Sequence, residues 1–315
     1  KYFFRYASEF GFQSFPSVKT LETVTDDPKE LNPFSYVMEK HQRNYGGNGK
    51  IAKYMQAAYR YPENFSDFVY ASQLLQADGI RYGVEHYRRN RGRCMGAIYW
   101  QLNDCWPVIS WSSIDYYGRW KALHYYAKRF FAPVMLSCEE QSWMTVEADM
   151  NRQHFEFEKS IRLNVTNETL NAHRVLVKWA VRKTDATILR EEEQWLEVPA
   201  LSAVWMDKVE LPQIDCFNEY VSYEAWENDQ IISQGTVIFS YPKYFRYLNP
   251  GLTVRVDGDE IVVKAEAYAK SVEIRNENDD LILEDNYFDM NAGEYRVKIL
   301  DGKPDGLKVR SVYDI

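Results

Sequence analysis

Hydrophobic positions along the chain fall into two textures, one of long apolar runs separated by helical spacing and one of strict alternation. The run from Tyr2 to Phe10 is almost continuously apolar and aromatic and closes on Glu9-Phe10-Gly11, which predicts a parallel strand buried on both faces. From Ser72 to Arg91, the residues Leu74, Ala77, Ile80, Val84 and Tyr87 recur at spacings of three and four. With Arg88, Arg89 and Arg91 at its end and Gly92 behind them, this stretch predicts an amphipathic helix whose C-terminal dipole is met by cations. Cys94 to Leu102 carries no charge and predicts a second fully buried strand, with polar Asn103 and Asp104 at its C-terminal end. Trp120, Leu123, Ala127 and Phe130 share one face of a further helix before Pro133. Between Gly11 and about Asn64, Asp27-Pro28 and Tyr45-Gly46-Gly47-Asn48-Gly49 predict a long connecting loop, and loops of that size tend to carry function.

After Pro133 the period becomes two. Ile161, Leu163 and Val165, then Val175, Val177, Trp179 and Val181, then Tyr220 to Trp226 and Thr236 to Tyr241 predict the short strands of an Ig-like sandwich over 134–243. A smaller C-terminal β-sandwich is predicted for 244–315. Its strands are expected near 252–256, 260–265, 271–276, 281–284, 295–300 and 307–312, with turns at Asp257-Gly258-Asp259, Asn278-Asp279 and Asp301-Gly302. The architecture expected is therefore multidomain, an α/β part over 1–133 followed by two all-β domains.

Composition narrows the function classes. Hydrophobic residues make up 45% and charged residues 27%, the balance of an ordinary globular protein. The net charge of −8 argues against a nucleic-acid partner, which calls for a basic face. No stretch approaches the roughly 20 apolar residues of a membrane-spanning helix. The aromatic share is 16%, with 9 Trp and 24 Tyr, enough both for cores and for stacking on sugar rings. Cys94, Cys105, Cys138 and Cys216 lack CxxC pairing, and His41, His86, His124, His154 and His173 lack ligand spacing, so neither zinc nor a disulfide framework is expected. Free buried thiols lean toward a reducing cytoplasmic setting, the compartment itself staying open. Sequons occur at Asn64, Asn164 and Asn167.

Chemistry is expected where the two predicted parallel strands end, because polar groups there face a site in barrel-like α/β folds. Glu9 ends the first; Trp100, Asn103 and Asp104 end the second. A Glu at a strand end also serves as a solvated residue or an ion-pair partner, and the residues alone leave both readings open.

The stretches Ser8-Glu9-Phe10-Gly11-Phe12-Gln13-Ser14 and Gly96-Ala97-Ile98-Tyr99-Trp100-Gln101-Leu102-Asn103-Asp104-Cys105-Trp106-Pro107 resemble two signature segments of glycoside hydrolase family 2, in its β-mannosidase branch. The continuation through Ser110-Trp111-Ser112-Ser113-Ile114-Asp115-Tyr116 and Trp120-Lys121-Ala122-Leu123 is similar too. The resemblance implies that residues 1–133 are the C-terminal part of a (β/α)₈ TIM barrel, followed by two Ig-like β-sandwich domains. It implies a retaining exo-glycosidase acting on terminal β-mannose, with Glu9 as nucleophile and Trp100 lining the sugar subsite. Asn103 and Asp104 are implied as polar substrate support, and Trp106 and Trp111 as loop packing. No cofactor is implied, and the partner is a β-mannoside oligosaccharide. The family's acid/base lies in an Asn-Glu pair ahead of the nucleophile. None precedes Glu9 here, and Asn167-Glu168 and Asn218-Glu219 fall in the β-rich part, so an N-terminal part of the same enzyme is expected to supply it. Two alternatives stand beside this: another family 2 specificity, and a non-catalytic carbohydrate-binding or bracing module. Trp143, Trp179, Trp195, Trp205 and Trp226 are interleaved with apolar residues and favour bracing.

Overall fold

In chain order, strand β1 (Ala7–Phe10) precedes helices α1 (Val18–Leu21), α2 (Tyr36–Lys40), α3 (Gly47–Ala58) and α4 (Phe65–Arg89), then β2 (Ala97–Tyr99) and α5 (Ala122–Phe130). The rest is β-structure: β3 (Val134–Gln141), β4 (Ser160–Asn167), β5 (His173–Lys183), β6 (Ile188–Val198), β7 (Ser202–Trp205), β8 (Val209–Glu210), β9 (Glu219–Glu227) and β10 (Gln230–Ile238). The last strands are β11 (Thr253–Asp257), β12 (Glu260–Ala265), β13 (Ala269–Arg275), β14 (Ile282–Leu283), β15 (Phe288–Met290), β16 (Gly293–Asp301) and β17 (Lys308–Arg310). This computed structural model describes residues 2–146 and 157–315; Lys1 and His154 lie outside them. Contacts divide the chain into two units. One takes in the described residues up to Ala7, Val84–Ala97 and Arg129–Leu248, and the other Ser8–Gly83, Ile98–Lys128 and Asn249–Ile315.

The two predicted apolar strands pair. Met95 N–H donates to Arg5 O, Ala7 N–H to Gly96 O and Trp100 N–H to Phe10 O; partner numbers rise together, so β1 and β2 run parallel. The crossover between them contains α4, whose N-terminus is capped by Asn64 Oδ1 accepting from Asp67 N–H at 2.9 Å. Of its predicted stripe, Leu74, Ala77, Ile80 and Val84 are buried and Tyr87 is half-buried. Gly83 allows the Phe10 ring to lie on the helix, since a Cβ there would come within 2.7 Å of Phe10 Cε2.

Both strands are shorter and more open than predicted. Tyr2, Phe3, Phe4 and Tyr6 are exposed ahead of β1, and Met95, Ile98 and Leu102 are exposed in and beside β2. β2 ends early because Gln101 N–H turns to Trp111 O, and Ser113 N–H bonds Gln101 O and Leu102 O. The side chains stay exposed because the sheet has two strands among the described residues. The connection after Gly11 is also more regular than predicted, with α1, α2 and α3 along it. Gly46, at φ +66°, is the N-cap of α3, so the glycine cluster marks a helix start rather than a loop.

Within the first unit, sheet β3-β4-β7, with β8 also on β4, and sheet β10-β9-β5-β6 enclose one apolar cluster. Alternate residues Val175, Val177, Trp179 and Val181 of β5 enter it, with Ile161, Leu163 and Val165 of β4. β6 escaped prediction because its Glu191-Glu192-Glu193 run is exposed on an edge strand, paired to β5 in a register that sets Lys178 opposite Glu193 and Arg174 opposite Glu197. Asn164 and Asn167 are buried, which closes those two sequons to modification in the folded chain. Cys94 and Cys138 are buried as expected, whereas Cys216 is half-buried and Cys105, in the loop after β2, is exposed.

In the second unit, sheets β11-β12-β16-β14 and β15-β13-β17 form the C-terminal β-part. Gly258, at φ +66°, makes the predicted turn between β11 and β12. This part is bonded to α4: Tyr70 Oη donates to Ser271 O at 2.5 Å, and Arg310 pairs with Asp67 at 3.0 Å and with Glu273.

Candidate active site

Glu9, Trp100, Asn103 and Asp104 belong to one unit, at the C-terminal ends of neighbouring parallel strands. Glu9 is exposed in β1, and among the described residues no donor reaches its carboxylate. The next glycine fixes how closely the two strand ends approach. A Cβ on Gly11 would fall 2.3 Å from Trp100 O and 3.0 Å from Trp111 Cδ1. Any larger residue would drive the chain after Glu9 away from Trp100.

Trp100 is 50% exposed and is joined to Gln101 by a cis peptide bond. Asn103 is exposed, and its carbonyl accepts from Gln101 Nε2 at 2.9 Å. Asp104 differs from both. It is buried, and its carboxylate accepts from Ser110 Oγ at 2.7 Å, Ser112 Oγ at 2.5 Å and Gln101 Nε2 at 3.2 Å. With its oxygens so engaged it organises the turn that follows Trp100. Trp106 lies 5.0 Å from the His41 ring, and the Trp111 carbonyl receives Gln101 N–H.

Beneath the turn lies a polar layer that sequence reasoning missed. Lys121 is buried, donates to Ser14 O at 3.3 Å, and has its ammonium pushed down to about 8 by burial, against the upward pull of Asp104 and Asp115. Burial raises Asp115, opposed by hydrogen bonds from Thr20 and the Arg119 and Tyr117 backbone. His124 is lowered by burial, its Nδ1 3.2 Å from Ser113 Oγ. Gln73 and Gln76 of α4 are buried as well. Their signal was present: two amides sit among the apolar positions of the helix stripe, where a polar side chain must find partners. Among the described residues no group of three or more His, Cys, Asp or Glu could hold a metal ion.

Comparison with known proteins adds to this geometry. Residues 159–244 match the family described as Mannosidase Ig/CBM-like domain, and 247–315 match an Ig-fold domain family of mannosidases. β-Mannosidase B of Thermothelomyces thermophilus is 29% identical over 98% of this chain and 39% of its own length. β-Mannosidase of Capra hircus is 39% identical over 42% of this chain and 16% of its own. The crystal structure of β-D-mannosidase from Dictyoglomus thermophilum superposes with a TM-score of 0.82 at 25% identity, covering 98% of this chain and 37% of that one. Along nearly its whole length the chain is similar to β-mannosidases of glycoside hydrolase family 2. It corresponds to the C-terminal portion of these enzymes and spans about two fifths or less of the relatives it matches. An exo-chitosanase from Amycolatopsis orientalis shares the fold at TM-score 0.67 and 16% identity.

Proposed function

We propose that the enzyme to which this chain belongs is a retaining exo-β-mannosidase and that Glu9 is its nucleophile. The observation that carries the reading is an exposed, unengaged carboxylate at the end of β1, set beside a half-exposed tryptophan at the end of β2. In this reading β1 and β2 are strands of a (β/α)₈ barrel. The exposed Ile98 and Leu102 then meet barrel strands contributed by the rest of the enzyme.

The ionised Glu9 attacks the anomeric carbon, forming a carbon–oxygen bond as the glycosidic bond breaks, and the leaving oxygen takes a proton from a second carboxyl group. Water activated by that same group then cleaves the glycosyl-enzyme and frees Glu9. Retention calls for carboxyl groups about 5–5.5 Å apart. Glu168 is held by Arg91 at 3.0 Å, and Glu219 accepts from Asp215 N–H at 3.0 Å, so neither is a candidate for the second role. We assign that role to a residue outside these 315 positions. Trp100 offers a face for the sugar, Asn103 an exposed amide for a hydroxyl, and Asp104 supports both by holding the turn.

A panel of nitrophenyl glycosides tests specificity and nucleophile together in the full-length enzyme. The β-mannoside is expected to turn over fastest, and Glu9→Gln to lower kcat by roughly 10⁴-fold or more while the protein stays folded. Faster turnover of any other sugar would defeat the mannoside assignment.

A further inference from the structure

Gln76 has no solvent exposure in α4, yet every polar atom of its side chain is occupied. Its Oε1 accepts from Ser14 Oγ at 2.7 Å, and its Nε2 donates to Phe12 O at 2.8 Å and to Ser112 O at 3.4 Å. Phe12 and Ser14 belong to the chain that continues from Glu9 and Gly11. Ser112 binds Asp104, the carboxylate that holds Gln101 and so the turn after Trp100. Ser14 N–H also donates to Ser110 O at 3.0 Å, and the Ser110 hydroxyl meets the same carboxylate. One buried amide thus grips both segments that follow the strand ends.

We propose that Gln76 is a positioning residue for the glycosidase site, setting the separation between Glu9 and Trp100. The inference rests on the functional reading above. A side chain that cannot serve as donor and acceptor at once releases one segment or both, and Glu9 then meets the anomeric carbon from a displaced position. Gln73, one turn earlier, supplies the contrast. It is buried too, donating to Phe15 O at 3.1 Å and accepting from Ala122 N–H at 3.1 Å, so it ties the chain beyond the motif to the start of α5.

The test is the rate at which 2-deoxy-2-fluoro-β-mannosyl fluoride inactivates the full-length enzyme, fluoride leaving as the Glu9 oxygen bonds to the anomeric carbon. Rates are taken per folded molecule, well below each variant's unfolding midpoint. Gln76→Met is expected to slow inactivation about tenfold or more, Ser14→Ala to slow it less, and Gln73→Met to stay within about twofold of the parent despite a lowered midpoint. Ser14→Ala removes a single hydroxyl and carries the test if Gln76→Met does not fold. Equal slowing by Gln73→Met, or unchanged rates in both Gln76→Met and Ser14→Ala, would overturn the inference and leave the nucleophile standing. A parent enzyme that is never labelled would remove the functional reading, and the inference with it.

Discussion

The sandwich of the first unit and the β1–β2 pair treat the same residue type in opposite ways. Trp179 of β5 is 3% exposed among Val175, Val177 and Val221, whereas Trp100 at the end of β2 is half-exposed with Ile98 and Leu102 exposed around it. In the sandwich, strand alternation has a second sheet to fill and consumes its apolar side chains. In the pair, the outward side chains find no cover among the described residues, and a glycine and a buried polar layer fix the strand ends instead. Hydrophobic residues in one region hold the fold; in the other they stay exposed, and in the proposed reading they are left for substrate and for the rest of the enzyme.

That contrast breaks first, and most heavily, at Trp179. Trp179→Ala empties a closed core and is expected to lower stability by about 3–5 kcal/mol in chemical denaturation, with activity per folded molecule retained. A loss of that size for Trp100→Ala instead would invert the comparison.

The buried ammonium of Lys121 gives the next largest effect. Its folded value of about 8 lies below the ordinary 10.5, so the folded state binds fewer protons between them. Stability therefore rises as pH climbs through that window, and the contribution is lost as pH falls through 8, a span of about 3 kcal/mol. Denaturation midpoints of Lys121→Met measured from pH 8 to 10.5 are expected to lose this rise; an unchanged slope would show that another group causes it.

Trp100→Ala is expected to lower kcat/KM for a β-mannoside about tenfold or more, the equivalent of about 1.4 kcal/mol, with stability shifted by less than that. The smallest effect belongs to Trp195 on the outer face of the sandwich, 55% exposed with the Arg174 guanidinium 4.6 Å from its ring. Trp195→Ala is expected to cost under about 1 kcal/mol in thermal unfolding. A larger cost would mean that this exposed face carries the fold as the core does.

What the sequence revealed follows the same division. Period-two alternation announced β4, β5 and β9, because their apolar residues recur at every second position and the pattern is local. The charged edge strand β6 carried no such pattern, since its stability comes from pairing with β5. The Cys94–Leu102 run looked like a buried strand because apolar content reports what a segment needs to cover, and its cover is not supplied by the described residues. At the candidate site, the position of Glu9 and Trp100 at strand ends was legible. Gln76 and Lys121 were not, because their partners Phe12, Ser14 and Ser112 are distant in sequence, and only the fold shows that these polar side chains are satisfied.

The most direct test of the central claim is to map the adduct left by 2-deoxy-2-fluoro-β-mannosyl fluoride on the full-length enzyme by peptide mass spectrometry. A single fluoromannosyl group is expected on the peptide containing Ser8-Glu9-Phe10-Gly11, attached at Glu9. Attachment at any other carboxylate, or a folded enzyme that turns over β-mannosides without ever forming the adduct, would contradict it.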